Sequence, residues 1–214
     1  MLRQISRRRM AGLNLMELLI VMLVIAILAA IGVPSFRYVT ASNRISSEVN
    51  ALLGDMRYAR TEAIKEGSWV TVCAATINVT SNTATCSGTG AATPGDWSTG
   101  WIVFSDSSNN QTAPVFTSLL RLEMPFIGGD KFPAADTTPT AVVAVTFNRE
   151  GFATSYTTLG SGTNPGTAAN PPTLMTLNAN PKNSNWTRCL AINNIGMITT
   201  ETPAANVTGF TKCT

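Results

Sequence analysis

The sequence contains no histidine in its 214 residues. That removes the commonest general base and the commonest metal ligand at neutral pH. Its four cysteines, Cys73, Cys86, Cys189 and Cys213, form no C-x-x-C pair, and no histidines are present to complete a zinc site. There is also no Gly-rich phosphate loop and no serine placed beside a base. The residues therefore argue against an enzyme and lead us to expect no catalytic, metal or cofactor-binding residues. Charge is scarce too, at 13% of the chain. The overall +3 is unevenly placed, because Arg3, Arg7, Arg8 and Arg9 crowd the first nine positions. From Leu13 onward eleven basic residues face twelve acidic ones, a net of −1. A near-neutral body of this kind exerts little long-range attraction on phosphate.

What the sequence does have is concentrated at its start. A basic leader, MLRQISRRRMAG, is followed by LNLMELLIVMLVIAILAAIGVP. Leu13 to Val33, as a helix, would span roughly 31 Å at ~1.5 Å per residue, enough to cross a hydrocarbon core. The preceding arginines would hold that end in the cytoplasm. Three ordinary readings meet difficulties here. A secretory signal peptide would be cut after the apolar stretch at a small-residue site, yet apolar sequence continues past Ala26–Ala30. A core helix of a soluble protein would not be apolar on every side. A plain signal anchor fits in length but leaves Glu17 unexplained. An ionised carboxylate inside such a stretch costs ~2.5–3.5 kcal/mol on insertion scales, so it requires a partner or a task.

The run Gly12-Leu13-Asn14-Leu15-Met16-Glu17-Leu18-Leu19-Ile20-Val21 resembles the class III signal of type IV pilins and pseudopilins. The resemblance implies cleavage between Gly12 and Leu13 by a membrane prepilin peptidase, which leaves the apolar stretch on the mature chain. It also implies N-methylation of Leu13 by the same peptidase/N-methyltransferase. Leu13 departs from the phenylalanine usual at that position. Pro34 falls where many pilins carry a helix-kinking proline. For Glu17 the resemblance implies a pairing with the terminal amine of a neighbouring subunit during filament growth. Such a pair is strong in low dielectric when its geometry is good, and an unpaired charge there is costly. Glu17 is thus expected to act as a register device for assembly.

Beyond Pro34 the spacing predicts a continuing amphipathic helix. Ile45, Val49, Leu52, Leu53, Met56, Ala59, Ala63 and Ile64 recur at a period near 3.6, and Gly67 follows as a C-cap. After it, short β-branched and aromatic runs predict strands at 69–73, 100–104, 142–147, 174–177 and 188–192. Loops are expected at 76–96, 105–114, 128–140 and 160–172. No second helical pattern alternates with the strands, which argues for an antiparallel sheet system. Trp97 and Trp101 are expected in the sheet or core. Asp96, Asp106, Glu123 and Asp130 are expected in loops, as solvating charges. An even cysteine count in an exported domain reads as two disulfides with three possible connectivities. The sequential pairing, Cys73–Cys86 and Cys189–Cys213, closes the shorter loops and is preferred, with four buried thiols as the alternative.

The order of these segments resembles the GspH/FimT group, which includes FimU-like pilins, over nearly the whole chain. "ARTEAIKEG" ends the long helix, "DWSTGWIVFSD" matches a Trp–Gly–Trp strand, "VTFNREGFA" a strand and turn, and "CLAINNIGMITT" the final strand pair. The implied fold is α+β and type IV pilin-like, a long N-terminal helix on an antiparallel β-sheet head. The implied organisation is a leader at 1–12, a membrane and assembly helix at 13–33, an amphipathic continuation at 34–66 and a periplasmic head at 67–214. The implied function is a minor pilin, assembling with other pilins through its N-terminal helix, in the bacterial inner membrane and then in the pilus. A minor pseudopilin of type II secretion is the alternative. A DNA-binding pilin ranks third. Some FimT-like chains carry a Gly-Arg-x-Arg turn implicated in DNA binding, whereas the corresponding turn here is Gly196-Met197-Ile198-Thr199. Arg188, Lys182 and Lys212 are scattered cations that give only weak phosphate contact.

Overall fold

A computed structural model describes residues 14–78, 83–86, 95–106, 116–126, 130–136, 140–159, 167–169, 173–177 and 187–201. The chain divides into two compact units, Met1–Ala41 and Ser42–Thr214. A single α-helix, α1, runs over Leu15–Glu66. Its start is set locally by Asn14, whose side-chain oxygen accepts from the Met16 N–H at 3.3 Å while its carbonyl accepts from Leu18 at 3.1 Å. An Asn cap of this kind satisfies donors that the first turn would otherwise leave orphaned. Pro34 lies inside the helix. It has no N–H to give to the carbonyl four residues earlier.

In the second unit, the part of α1 from Ser42 is held by the stripe read from the sequence. Ile45, Val49, Leu52, Met56, Ala59 and Ala63 are buried. Burial of each large member is worth about 1.5–3 kcal/mol. Leu53 is partly buried at the rim of this core, and Ile64 is half exposed. The helix stops at Gly67, whose φ of +61° continues the chain in the left-handed region. The Ser68 N–H then bonds back to the Ala63 carbonyl at 3.2 Å, closing a Schellman turn.

The strands follow as β1 Trp69–Asn78, β2 Thr83–Cys86, β3 Trp101–Asp106, β4 Phe116–Glu123, β5 Ala134–Ala135 and β6 Ala144–Phe147. They continue as β7 Ala153–Thr158, β8 Thr167–Ala168, β9 Thr173–Leu177, β10 Arg188–Ile192 and β11 Ile198–Glu201. One sheet has the order β4-β3-β1-β6-β7-β8, with β2 paired to the second half of β1. A second sheet has the order β11-β10-β9-β5. Every pairing among the described strands is antiparallel.

The period-two alternation of β1 explains how the first sheet is buried on both faces. Val70, Val72 and Ala74 join Trp101, Val103, Val145 and Phe147 in the core that takes the α1 stripe. Leu190, Ile192 and Ile198 of the second sheet enter the same core. On the other face, Cys73 and Ala75 pack with Ile102, Phe104, Ala144 and Tyr156. On this same face, Thr71 and Thr146 satisfy each other through a hydroxyl–hydroxyl bond of 2.8 Å. Cys73 and Cys86 are joined in a disulfide that ties β1 to β2. Cys189 is also disulfide-bonded. Its expected partner Cys213 lies outside the described residues.

Two sets of sequence expectations are corrected. The expected loops at 76–96, 128–140 and 160–172 contain β2, β5 and β8, while β4 and β7 occupy stretches where no strand was expected. β2, β5, β7 and β8 are short or rich in Thr, Ser and Ala, and sheet pairing rather than an apolar run defines them. The second correction concerns the carboxylates. Asp96 and Asp130 are buried, and Asp106 and Glu123 end strands β3 and β4. None of the four lies in a simple solvated loop.

Candidate assembly site

The apolar segment of α1 presents itself without cover. Every residue from Leu15 to Val33 is exposed, including Leu18 to Val24 and Ile31. It is long and apolar enough to cross a membrane. Glu17 sits in the first turn of the helix. A carboxylate there is favoured by the helix macrodipole, typically by 0.3–1 kcal/mol. This is small beside the insertion cost of the charge, so the helix alone does not account for an acid at this position. Gly12 and Leu13, the expected cleavage residues, lie outside the described residues.

The head organises its charges around buried acids. Asp55 projects from the buried side of α1 and its two oxygens are both used. Oδ2 accepts from the Trp101 indole N–H at 2.8 Å, and Oδ1 from Arg121 at 2.8 Å. The Arg121 guanidinium lies 3.9 Å from the centroid of the Tyr58 ring, so one carboxylate links helix, β3 and β4. Sequence reasoning passed over Asp55. The available signal was its place three residues after Leu52 and four before Ala59, inside the buried stripe. Asp96 caps the 3-10 turn Trp97–Thr99 by accepting from Ser98 at 3.1 Å, and also accepts from Phe132 at 3.1 Å and Lys131 at 2.9 Å. Burial pushes its carboxyl up, but the bonds from Ser98, Lys131 and Phe132 prevail and hold it below the usual carboxylate value. Trp97 and Trp101 are fully buried, and the Trp97 indole donates to the Val142 carbonyl at 2.9 Å.

Asp130 takes a bidentate grip from Arg44, at 2.7 and 3.0 Å. Glu48 is left the weaker share, 3.9 Å from the same guanidinium, and its Oε2 is buried without a partner. Burial, with the charge of Asp130 adding and Arg44 opposing, raises its carboxyl to about 7. In the unfolded chain the group ionises near 4.5. Between about pH 4.5 and 7 the folded state therefore holds a proton that the unfolded state has released, so the neutral group's contribution to stability is full below pH 4.5. This contribution is lost as pH rises towards and through 7, and amounts to on the order of 2–3 kcal/mol. Glu48→Gln should therefore stabilise the head at pH 8 and flatten the pH dependence of its urea midpoint between pH 5 and 8. Unchanged dependence in that titration would contradict the assignment.

The turn at Gly196 bears no arginine of its own. Instead Arg60 of α1 reaches it, donating from Nη2 to the Ile195 carbonyl at 3.0 Å and from Nε to the Gly151 carbonyl at 3.1 Å. The guanidinium is thus committed to backbone acceptors. Arg188 is half-buried at the start of β10, and Lys182 and Lys212 lie outside the described residues.

A family model described as "Type II transport protein GspH" matches residues 48–196, from the buried part of α1 to the Gly196 turn. The chain belongs to the GspH family. That match spans well over half of the 214 residues. No curated protein matches the sequence at a significant level. In structure, the GspH-family chain is similar to the type IV minor pilin FimU of Pseudomonas aeruginosa strain PAO1. One crystal form matches with a TM-score of 0.49 and 16% identity, covering 74% of this chain and 89% of that one. A second form matches with a TM-score of 0.43 and 15% identity, covering 76% and 90%. Membership in the GspH family makes the chain a pilin or pseudopilin of the GspH type. Its apolar N-terminal helix fits a membrane-anchored component of a pilus or pseudopilus, and membership in the family implies assembly with other pilins.

Proposed function

We propose that this chain is a minor pilin of a type IV pilus, acting in the initiating or tip complex that supports pilus biogenesis. The observation that carries the reading is Glu17, a single acid in the first turn of α1, within the otherwise apolar and exposed segment Leu15 to Val33, on a chain with a GspH-family head. On this reading, residues 1–12 are a leader removed between Gly12 and Leu13, and Leu13 is then N-methylated. Residues 13–33 hold the chain in the inner membrane with its head, 67–214, in the periplasm. Pro34 would kink the helix where it leaves the membrane, and 34–66 would continue it into the head. Glu17 then meets the terminal amine of a neighbour. Two disulfides, Cys73–Cys86 and Cys189–Cys213, suit an oxidising periplasm. DNA is disfavoured as a partner, because the Gly196 turn adds no cation and Arg60 is spent on carbonyls.

A second reading, a minor pseudopilin of type II secretion, is favoured by the description of the matching family as a type II transport protein. Deleting the gene and restoring it from a plasmid separates the two. A pilus subunit predicts loss of sheared surface pili with secreted enzyme activity unchanged. Normal piliation with secretion lost would move the chain to the secretion system.

A further inference from the structure

Two turns of the head share one pattern, Asn-x-x-Gly followed by a large apolar residue: Asn148 to Phe152 and Asn193 to Met197. In each, the asparagine side-chain oxygen accepts from the backbone N–H of the final residue, at 2.8 Å from Phe152 and 2.9 Å from Met197. In each, the glycine N–H bonds to the asparagine carbonyl at 2.9 Å. Gly151 and Gly196 hold positive φ, +84° and +73°, which side-chain-bearing residues rarely adopt. The turns are also fastened to one another. The Ala153 N–H donates to the Asn194 carbonyl at 2.9 Å, and Arg60 bonds a carbonyl in each. A Cβ at Gly196 would collide with the Gly151 carbonyl, and one at Gly151 would come within 2.8 Å of Ile64 Cδ1. The two turns and the end of α1 therefore form one closely fitted surface.

Beside the exposed Arg149, Glu150 and Asn194, this surface shows a set of large apolar side chains to solvent. Phe152 is 50% exposed, Ile195 55%, Met197 51% and Ile64 50%. Ordinary surface turns are polar, and a cluster of large apolar side chains on a fixed frame marks an interaction site. Four half-exposed side chains offer roughly 400 Å², at about 100 Å² each. A free-standing complex buries ~800 Å² per partner, so the patch is too small to hold a partner from solution. It is large enough to orient one that is already held alongside, where tethering supplies a high effective concentration. The occupant that meets this condition is another pilin whose helix is bundled with this one. Phosphate is a poor occupant, since the cation at the centre of the patch already serves carbonyls.

We propose that Ile64, Phe152, Ile195 and Met197 form a docking surface for an apolar patch on the head of another pilin in the same filament. This rests on the filament-subunit reading above. The test uses the full-length chain in its own host, with the photo-crosslinker p-benzoylphenylalanine in place of Phe152 or of Met197. Sheared filaments are irradiated and the adducts identified by mass spectrometry, and an I195D/M197D variant is scored in parallel for membrane level, cleavage and filament content. The expected result is an adduct to a head peptide of another pilin, with at least a tenfold loss of the double variant from filaments. Filaments that contain the chain but give no adduct, or adducts only to itself, to DNA or to non-pilin proteins, would overturn the docking surface alone. Absence of the unsubstituted chain from filaments would overturn both the surface and the filament reading. Should the double variant fall in membrane level, the crosslinks alone decide.

Discussion

Replacing Glu17 with alanine should leave membrane insertion and leader cleavage intact while removing the chain from filaments. Insertion should survive because the substitution takes a charge out of the apolar stretch, lowering its transfer cost by ~2.5–3.5 kcal/mol. Cleavage should survive because Gly12 and Leu13 are untouched. The helix start should survive as well, since Asn14 still caps it and the lost macrodipole interaction is worth only about 0.3–1 kcal/mol. What the variant lacks is the carboxylate that would meet a neighbour's terminal amine. Leaving one member of a desolvated pair without its partner costs about 3–5 kcal/mol, which is more than a hundredfold in an equilibrium. One strain suffices for the measurement: membrane fraction, leader cleavage and content of sheared filaments. Normal filament content would show Glu17 to be dispensable, and loss of insertion would contradict the charge-transfer argument.

Asp55→Ala should be the most damaging single substitution in the head, lowering its stability by about 3–5 kcal/mol. The change leaves the fully buried Trp101 indole N–H without an acceptor, and strands the Arg121 guanidinium over Tyr58. A buried donor left unpaired costs about 1–3 kcal/mol by itself, and losing the cation adds to it. Asp55→Asn keeps an acceptor and should recover part of the loss. Arg121→Ala should cost less than Asp55→Ala, because Arg121 is half exposed and solvent screens its pairing. Urea unfolding of the head checks the order of the three variants. A loss under about 1 kcal/mol for Asp55→Ala would show that water replaces the carboxylate, against the burial seen here.

Much of this architecture could be read from the residues, and the reason lies in their periodicity. The α1 stripe from Ile45 to Ala63 and the apolar runs of β1, β3 and β10 carry their burial in their own spacing. The stop at Gly67 is equally local. β4 escaped because it fits neither period: Leu119 and Leu122 are exposed, and Arg121 reaches across to Asp55 on the helix. The sequence Ala153 to Thr158 offers one aromatic among small polar residues, and its pairing with β6 is what makes it a strand. The buried acids were misread for a related reason. Asp96 and Asp130 acquire charged partners across 35 and 86 positions, so nothing beside them in sequence announces burial. The expected N-terminal site rests on a signal of another kind, one that is contiguous in sequence. One acid in an apolar helix needs no tertiary contact to stand out.

The central claim is that this GspH-family chain works as a processed filament subunit. Intact-mass analysis of sheared filaments from a strain with an active prepilin peptidase tests it most directly. The predicted result is a species that begins at N-methylated Leu13, retains Glu17 and is four hydrogens lighter than its fully reduced form. A chain absent from filaments, one retaining Met1, or one beginning after Ala30 would contradict the claim.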